Sequence, residues 1–201
     1  MKVFGFDPSK SSGWAFWNTE RDHSSIACGV LEMPKGADHY YTGDQIGLKV
    51  TALIRQHGKP DFAVLEEQSL AKIGNTSADA MIYPWLATAA IVSTLANFGI
   101  PYGTIPAVSW RVSFFGKGFK PPLDNKGKKD WKSAAVAECE RMGIVLPPQK
   151  AISHNAAEAC ALAVCWRHSK LHARRYEPAF MQLLQQRNTR AGGDLFGGAA
   201  A

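Results

Sequence analysis

Two short apolar segments of the chain each end in an acidic residue, and this pattern constrains the fold more than any other. Residues 2–7 (KVFGFD) end in Asp7, and residues 62–66 (FAVLE) end in Glu66. Apolar runs of this length, bounded by turn residues, are typical of buried β-strands. The ends of adjacent strands in a sheet can place two such side chains next to each other. The pattern therefore predicts a buried sheet with an acidic edge.

The remaining segments predict further strands and helices in the order of a mixed α/β fold. Three strands of antiparallel type come first, and strands then alternate with helices, which indicates a central sheet covered by helices. Gly and Pro between residues 116 and 127 predict an exposed, mobile loop. The predicted strands are 2–7, 14–17, 26–33, 62–66 and 100–105, and the predicted helices are 45–56, about 76–98, 130–142 and about 155–173.

Length and composition favour one folded domain. The chain has 201 residues, of which 46% are apolar and 20% charged, as is ordinary for a globular protein. No apolar stretch approaches the roughly 18 to 20 residues that cross a bilayer, and the first residues do not resemble a secretory signal, so we expect no membrane partner. The four cysteines have no CxxC spacing, which fits reduced thiols in the cytoplasm.

The net charge of +6 is concentrated in two segments. Residues 111–133 and 167–190 each carry +5, so the rest of the chain is acidic. This distribution suits a phosphate-binding rim around a carboxylate site, although solvated charged surfaces would give the same pattern. The candidate DNA contacts are Lys10, Lys72, Arg111, Lys117, Lys120, Lys126, Lys128, Lys129 and Lys132.

A third acid, Glu158, lies near the predicted start of an Ala-rich helix. If this helix packs across the strand ends, Asp7, Glu66 and Glu158 can converge. Hard cations such as Mg²⁺ take carboxylate oxygens as ligands, and two such ions can activate a water and stabilise the leaving oxygen in phosphodiester cleavage. Each acid alone has another explanation, because Asp before Pro forms turns and Glu is favourable near a helix N-terminus.

Three segments in order resemble the motifs of RuvC-like Holliday-junction resolvases of the RNase H-like superfamily, in particular phage and prophage members. They are GFDPSKSSGWAFW, FAVLEEQSLAK and HNAAEACALAV, and the resemblance extends from residue 1 to about residue 166. It implies an α/β fold with a mixed five-stranded sheet, three antiparallel strands and then two parallel, flanked by helices. It also implies an Mg²⁺- or Mn²⁺-dependent endonuclease with two ions per site, acting as a homodimer on four-way junctions.

Some positions depart from the family pattern. Family members usually carry Asp where Glu158 stands, with a further Asp or His shortly before it, and here the candidates are His154 and Asn155. His154 is one helical turn before Glu158, so both could face one ion, whereas Asn155 could equally cap the helix. Glu66 is preferred over Glu67 because it directly follows the apolar strand and the next residue points to the opposite face. The expected catalytic and metal-binding residues are Asp7, Glu66, Glu158 and His154.

The C-terminal part of the chain is expected to lie outside the nuclease domain. We predict a domain over residues 1–176, and a C-terminal helix with a flexible tail over 177–201. Asp194, Leu195 and Phe196 resemble the linear motifs that dock bacterial replication proteins on the sliding clamp, without the usual Gln at the motif start. The host assignment, bacterial or phage, depends on the family resemblance alone.

Three alternatives to junction cleavage stay open on the sequence. The chain could act on other branched or replication-intermediate DNA, or it could bind DNA without cutting it. The third alternative is a fragment of an actin-like ATPase or kinase, because residues 7–13 (DPSKSSG) precede a strand as in a phosphate-binding hairpin. That fold, however, needs a much longer chain.

Overall fold

The computed structural model describes residues 1–68, 78–168 and 171–173. These residues form the predicted strands and helices in the predicted order, with one further helix and one further strand. The strands are β1 Lys2–Asp7, β2 Ser12–Asn18, β3 Ala27–Leu31, β4 Phe62–Glu66, β5 Tyr102–Ile105 and β6 His172–Ala173. The helices are α1 His39–His57, α2 Ala78–Asn97, α3 Ala107–Phe115, α4 Trp131–Arg141 and α5 Lys150–Val164.

One mixed sheet forms the centre of the molecule, with strand order β3-β2-β1-β4-β5-β6. The first three strands are antiparallel, and β4 and β5 run parallel to β1. The prediction of five strands, three antiparallel and two parallel, is therefore confirmed. The two-residue strand β6 extends the sheet beyond β5 in the antiparallel direction.

Alternating side chains of the sheet supply two hydrophobic cores. Phe4 and Phe6 of β1 pack with apolar residues of α1 and α2 on one face. Val3 of the same strand and Val64 of β4 pack on the other face, where α3, α4 and α5 lie. Successive residues of a strand point to opposite faces, so β1 contributes to both cores. The result is a three-layer fold with helices on both faces of the sheet.

Two glycines of the sheet let helix α5 approach its surface closely. A Cβ atom on Gly5 would lie 2.2 Å from the carbonyl oxygen of Ala159, and a Cβ on Gly13 would lie 2.0 Å from that of Asn155. Real Cβ atoms do not come so near to backbone atoms, so a larger residue would push α5 away. The Ala-rich face of α5 completes the contact, since Ala156, Ala159 and Ala163 are fully buried.

The helix boundaries differ from the predicted ones in three places. Helix α1 begins at His39, because Asp38 accepts a hydrogen bond from the Tyr41 amide as its N-cap. The predicted helix over 155–173 is wrong at both ends, since α5 begins at Lys150 and ends at Val164. Helix α3 is not predicted from the sequence. The predicted caps of α2 at Thr76 or Ser77 lie outside the described residues.

No helix in the described part of the chain is long and apolar enough to cross a membrane.

Candidate active site

Asp7 and Glu66 lie at the same edge of the sheet, at the ends of neighbouring parallel strands. The register pairs Phe6 of β1 with Leu65 of β4, so the two acids follow directly at equivalent positions. Glu66 lies on the face of the sheet that carries Val64 and α5. Asp7 and Glu66 therefore form an acidic edge of the sheet, at the place where the sequence predicts one.

Glu158 reaches the two strand ends from helix α5. It is only 6% exposed and lies among the buried Ala residues of the helix. The sequence placed it in the first turn of the helix, but α5 begins eight residues earlier at Lys150, so Glu158 lies in the middle of the helix. Its position therefore depends on the close contact of α5 with Gly5 and Gly13, and not on a helix N-terminus. We call Asp7, Glu66 and Glu158 the carboxylate site.

Burial disfavours the charged forms of all three acids, and repulsion from a neighbouring acid adds to this for Asp7 and Glu158. Burial, followed by the charges of Glu158 and Glu66, raises the pKa of Asp7 well above its ordinary value. Burial raises the pKa of Glu66, against a hydrogen bond from Trp110 that lowers it. Burial also raises the pKa of Glu158 to about 7, with a further contribution from Glu66. A cation bound at this site would therefore stabilise the ionised forms of the three acids.

Two basic side chains already face the carboxylate site. Arg111 Nη2 lies 3.8 Å from one Glu158 oxygen, and Lys132 Nζ lies 3.9 Å from the other. Both cations lower the pKa of each of the three acids. The sequence predicted these two residues as DNA contacts, and the structure places them at the boundary between the carboxylates and the basic surface.

Helix α3 supplies two residues of the site, of which the sequence analysis singled out only Arg111. The Trp110 indole nitrogen donates a 2.7 Å hydrogen bond to Glu66 Oε2, and the Trp110 side chain is fully buried. The Arg111 guanidinium lies 5.2 Å from the Trp110 ring and 5.1 Å from the Trp131 ring. Its Nε is buried without a hydrogen-bond partner in the described part of the chain. The two Trp rings hold Arg111 beside Glu158.

Asn155 joins the β1–β2 hairpin to Lys132. Its side-chain amide donates a 2.8 Å hydrogen bond to the Ser11 carbonyl, and its Oδ1 accepts one of 3.2 Å from Lys132 Nζ. Asn155 is an interior residue of α5, so the predicted alternative that it caps the helix is wrong. In this structure Asn155 positions a cation beside Glu158.

His154 lies one turn before Glu158 but faces a different set of charges. Burial and the charges of Lys132 and Lys150 lower its pKa, and only Asp130 opposes them. Asp130 is the N-cap of α4 and accepts a hydrogen bond from the Ser133 amide. Lys132 thus lies near both His154 and Glu158, and His154 borders the carboxylate site without joining the three acids.

Glu67 lies away from the carboxylate site. Its Oε2 accepts a 3.2 Å hydrogen bond from the Thr104 hydroxyl, while its amide donates to the Ile105 carbonyl. Glu66, in contrast, is bound by Trp110 on the α5 face. The placement agrees with the preference for Glu66 over Glu67.

The donor chemistry of the carboxylate site suits a hard divalent cation. Three buried carboxylates with raised pKa offer the oxygen ligands that Mg²⁺ and Mn²⁺ accept. Among residues 1–68, 78–168 and 171–173, however, no three His, Cys, Asp or Glu side chains are arranged to hold one ion together. A metal would have to draw the acids closer, and Arg111 and Lys132 lie beside Glu158 where it would bind.

The predicted DNA contacts other than Arg111 and Lys132 do not all lie together. Five lysines lie exposed in the segment between α3 and α4, residues 116–130, which we call the lysine loop. Asp124 organises part of this loop by accepting 2.8 Å hydrogen bonds from the amides of Lys126 and Lys128. Lys10 lies apart from the loop, with its Nζ 4.5 Å from the Tyr83 ring. Lys72 lies outside the described residues, as does most of the second basic segment.

The fold is that of RuvC. The chain is similar to the structure of Thermus thermophilus RuvC in complex with a Holliday junction substrate, with a TM-score of 0.64 and 14% sequence identity over 86% of this chain and 99% of that one. A second structure of Thermus thermophilus RuvC gives a TM-score of 0.57 and 18% identity over the same shares. No protein-family model matches the chain. No curated protein matches it either. The prediction of a RuvC-like fold is confirmed.

Proposed function

We propose that this chain, which has the fold of RuvC, is a metal-dependent endonuclease that resolves Holliday junctions or related branched DNA. The observation that carries the proposal is the convergence of Asp7, Glu66 and Glu158 at one edge of the sheet. One of the two similar RuvC structures contains a Holliday junction substrate, which supports branched DNA as the substrate.

The carboxylate site would hold Mg²⁺ or Mn²⁺ through Asp7, Glu66 and Glu158, with His154 as the next candidate ligand. The metal, as two ions in our proposal, would supply an activated water and stabilise the leaving oxygen of the phosphodiester. The protein's own contribution is to keep the three carboxylates buried and oriented. Trp110 fixes Glu66 through its 2.7 Å hydrogen bond.

Arg111 and Lys132 would bind the phosphate of the DNA strand at the site. Without DNA they lie within 4 Å of the Glu158 carboxylate, and their charges compensate the buried acids. When DNA binds, phosphate oxygens would replace Glu158 as the partners of Arg111 and Lys132, and a metal would replace these two side chains as the partner of Glu158. Positive charge beside a phosphoryl group stabilises the negative charge that develops during its transfer. Arg111 and Lys132 would therefore bind the DNA phosphate in addition to compensating the charge of the buried acids.

A second copy of the chain would bind through helices α1 and α2. Their outer surfaces expose large apolar side chains, among them Tyr40 at 90%, Leu48 at 57% and Trp85 at 41%. Exposed apolar surface of this kind is typical of interaction sites. These helices cover the face of the sheet opposite α5, so a partner there would leave the carboxylate site open to DNA. The homodimer would cut two strands symmetrically, and sedimentation velocity tests it.

The decisive experiment uses a synthetic four-way junction and a duplex of matched sequence. With Mg²⁺ we expect paired nicks near the branch point of the junction and no cutting of the duplex. EDTA should abolish cleavage but leave junction binding. Equal cutting of both substrates would contradict junction specificity, and binding without cutting in Mg²⁺ or Mn²⁺ would contradict the nuclease.

One observation favours a second candidate, a protein that binds branched DNA without cutting it. Glu158 already lies beside two cations, and the described residues hold no group ready to bind a metal. In that case neither the wild type nor Asp7→Asn nor Glu158→Gln would cut a junction in Mg²⁺ or Mn²⁺. The cleavage assay separates the two candidates.

The C-terminal residues Asp194, Leu195 and Phe196 lie outside the described part of the chain, and we propose them as a sliding-clamp docking motif. Such a tether would raise the local concentration of the nuclease at replication structures. A peptide of residues 187–201 should bind the clamp, and replacement of Leu195 and Phe196 by Ala should abolish binding. No measurable binding of the unchanged peptide would contradict the proposal.

A further inference from the structure

The lysine loop presents an aromatic ring to solvent. Phe119 is 42% exposed, although its ring stacks on Phe115 at 4.6 Å and 13°. Both rings also contact Trp131, at centroid distances of 5.7 Å for Phe115 and 6.2 Å for Phe119. The Phe119 ring therefore packs against two other aromatic rings, while part of its surface is exposed to solvent.

A chain of contacts joins this ring to the carboxylates. Trp131 lies 5.1 Å from the Arg111 guanidinium, and Arg111 lies 3.8 Å from Glu158. Two side chains, Trp131 and Arg111, thus separate Phe119 from Glu158. A molecule on the exposed surface of Phe119 would lie near any strand bound there.

The charges around Phe119 favour a nucleic acid over an apolar partner. Lys117 and Lys120 flank it and are exposed, and residues 115–123 contain no acid. The Phe119 amide donates to the Gly116 carbonyl at 3.4 Å, which closes the turn that carries the ring. Proteins that bind single-stranded nucleic acid combine aromatic rings, on which the bases stack, with basic side chains that contact the phosphates.

We propose that Phe119 is a stacking platform for an unpaired base at the branch point of the DNA. Bases in an uninterrupted duplex are already stacked, so the platform has no ligand there, whereas a branch point offers bases whose stacking is interrupted. The proposal rests on the proposed action on branched DNA and adds the residue that distinguishes a branch from a duplex.

The test uses the full chain in EDTA, so that binding is measured without cleavage. Phe119→Leu keeps apolar volume but removes the ring, and we expect it to weaken junction binding between about fivefold and about a hundredfold. Duplex affinity and the salt dependence of binding should not change, because no phosphate contact is lost. Leu123→Ala is the matched control, since Leu123 is an exposed apolar residue of the same loop without a ring, and it should bind as the wild type.

A junction with 5-iodouracil at the branch point provides the direct readout. Irradiation should attach the base to the peptide that contains Phe119, and Phe119→Leu should abolish this product. Either a product that maps elsewhere or a Phe119→Leu variant with wild-type junction affinity overturns the assignment. A wild-type chain that cuts junctions in Mg²⁺ but gives no product at Phe119 refutes the platform alone, whereas one that binds no branched DNA refutes the proposed function as well.

Discussion

Substitution of Gly5 by Ala should displace helix α5 slightly from the sheet and slow cleavage at the site. The added Cβ would lie 2.2 Å from the Ala159 carbonyl oxygen and 2.6 Å from the Ala163 amide nitrogen. Both are backbone atoms of α5, so no side chain can rotate aside. Relief of the overlap requires α5 to move outward by about 1 Å, and Glu158 moves with it.

The expected magnitudes follow from this displacement. Overpacking of a close contact costs about 1 to 3 kcal/mol of unfolding free energy, which for a chain of this size lowers the melting temperature by about 2 to 12 °C. A shift of about 1 Å at a catalytic group can lower the rate about a hundredfold. We therefore expect a protein that still folds but cleaves junctions about a hundredfold more slowly.

Thermal unfolding and junction cleavage are measured together, with Gly47→Ala as the control. A Cβ on Gly47 of helix α1 has its nearest neighbour, Thr94 Oγ1, at 3.6 Å, an ordinary contact. The control should keep full cleavage and gain slightly in stability, because Ala is the better helix former. A Gly5→Ala protein with the melting temperature and the cleavage rate of the wild type would refute the close contact between α5 and β1.

The other predictions concern ligand charge, DNA affinity and pH. Glu158→Gln should reduce cleavage as severely as Asp7→Asn, and His154→Ala should reduce it to an intermediate extent. Wild-type rates for both variants of α5 would mean that this helix contributes no residue to the site. The salt slope of DNA binding should fall by up to about 3 when Lys126, Lys128 and Lys129 become Ala; an unchanged slope would mean that the three lysines contact no phosphate. Burial lowers the pKa of His57, whose ring stacks on Phe16. The contribution of His57 to the unfolding free energy should therefore fall as the pH drops below about 6.5. Below this pH the wild type should lose unfolding free energy relative to His57→Gln, and a difference between the two proteins that does not change with pH would contradict this assignment.

The strands and their acidic ends could be predicted from the sequence because local pattern determines them. Continuous apolar runs such as residues 62–66 have few alternatives to a buried strand, and their last residue is fixed by the run itself. The parallel pairing of β1 with β4 then places Asp7 beside Glu66. For Glu158, the expected position near them comes from the Ala-rich helix and from the resemblance of residues 154–164 to the last RuvC motif.

Helix α3 and the start of α5 could not be predicted, because tertiary contacts decide both. Residues 107–115 show little apolar periodicity, and Trp110 is the one residue of α3 that is fully buried. The helix is anchored by the Trp110 bond to Glu66, which no local pattern reveals. For α5, the sequence offered Asn155 as a cap, but its side chain binds the hairpin carbonyl of Ser11 instead.

The pairing of cations with Glu158 is a third feature that the sequence does not reveal. Composition indicated that Arg111 and Lys132 lie in a basic segment, which is a statement about charge density. Their approach to Glu158 depends on the aromatic contacts of Arg111 and on the hydrogen bond of Lys132 to Asn155. Contacts between elements distant in the chain created this arrangement.

The central claim is that Asp7 belongs to a metal-dependent nuclease centre, and single-turnover cleavage of a four-way junction by Asp7→Asn tests it most directly. The substitution removes one charge at a strand end with almost no change in volume, so folding and junction binding should persist. The account predicts a rate in Mg²⁺ at least about a hundredfold below that of the wild type. A rate close to that of the wild type would contradict it and place the chemistry elsewhere in the chain.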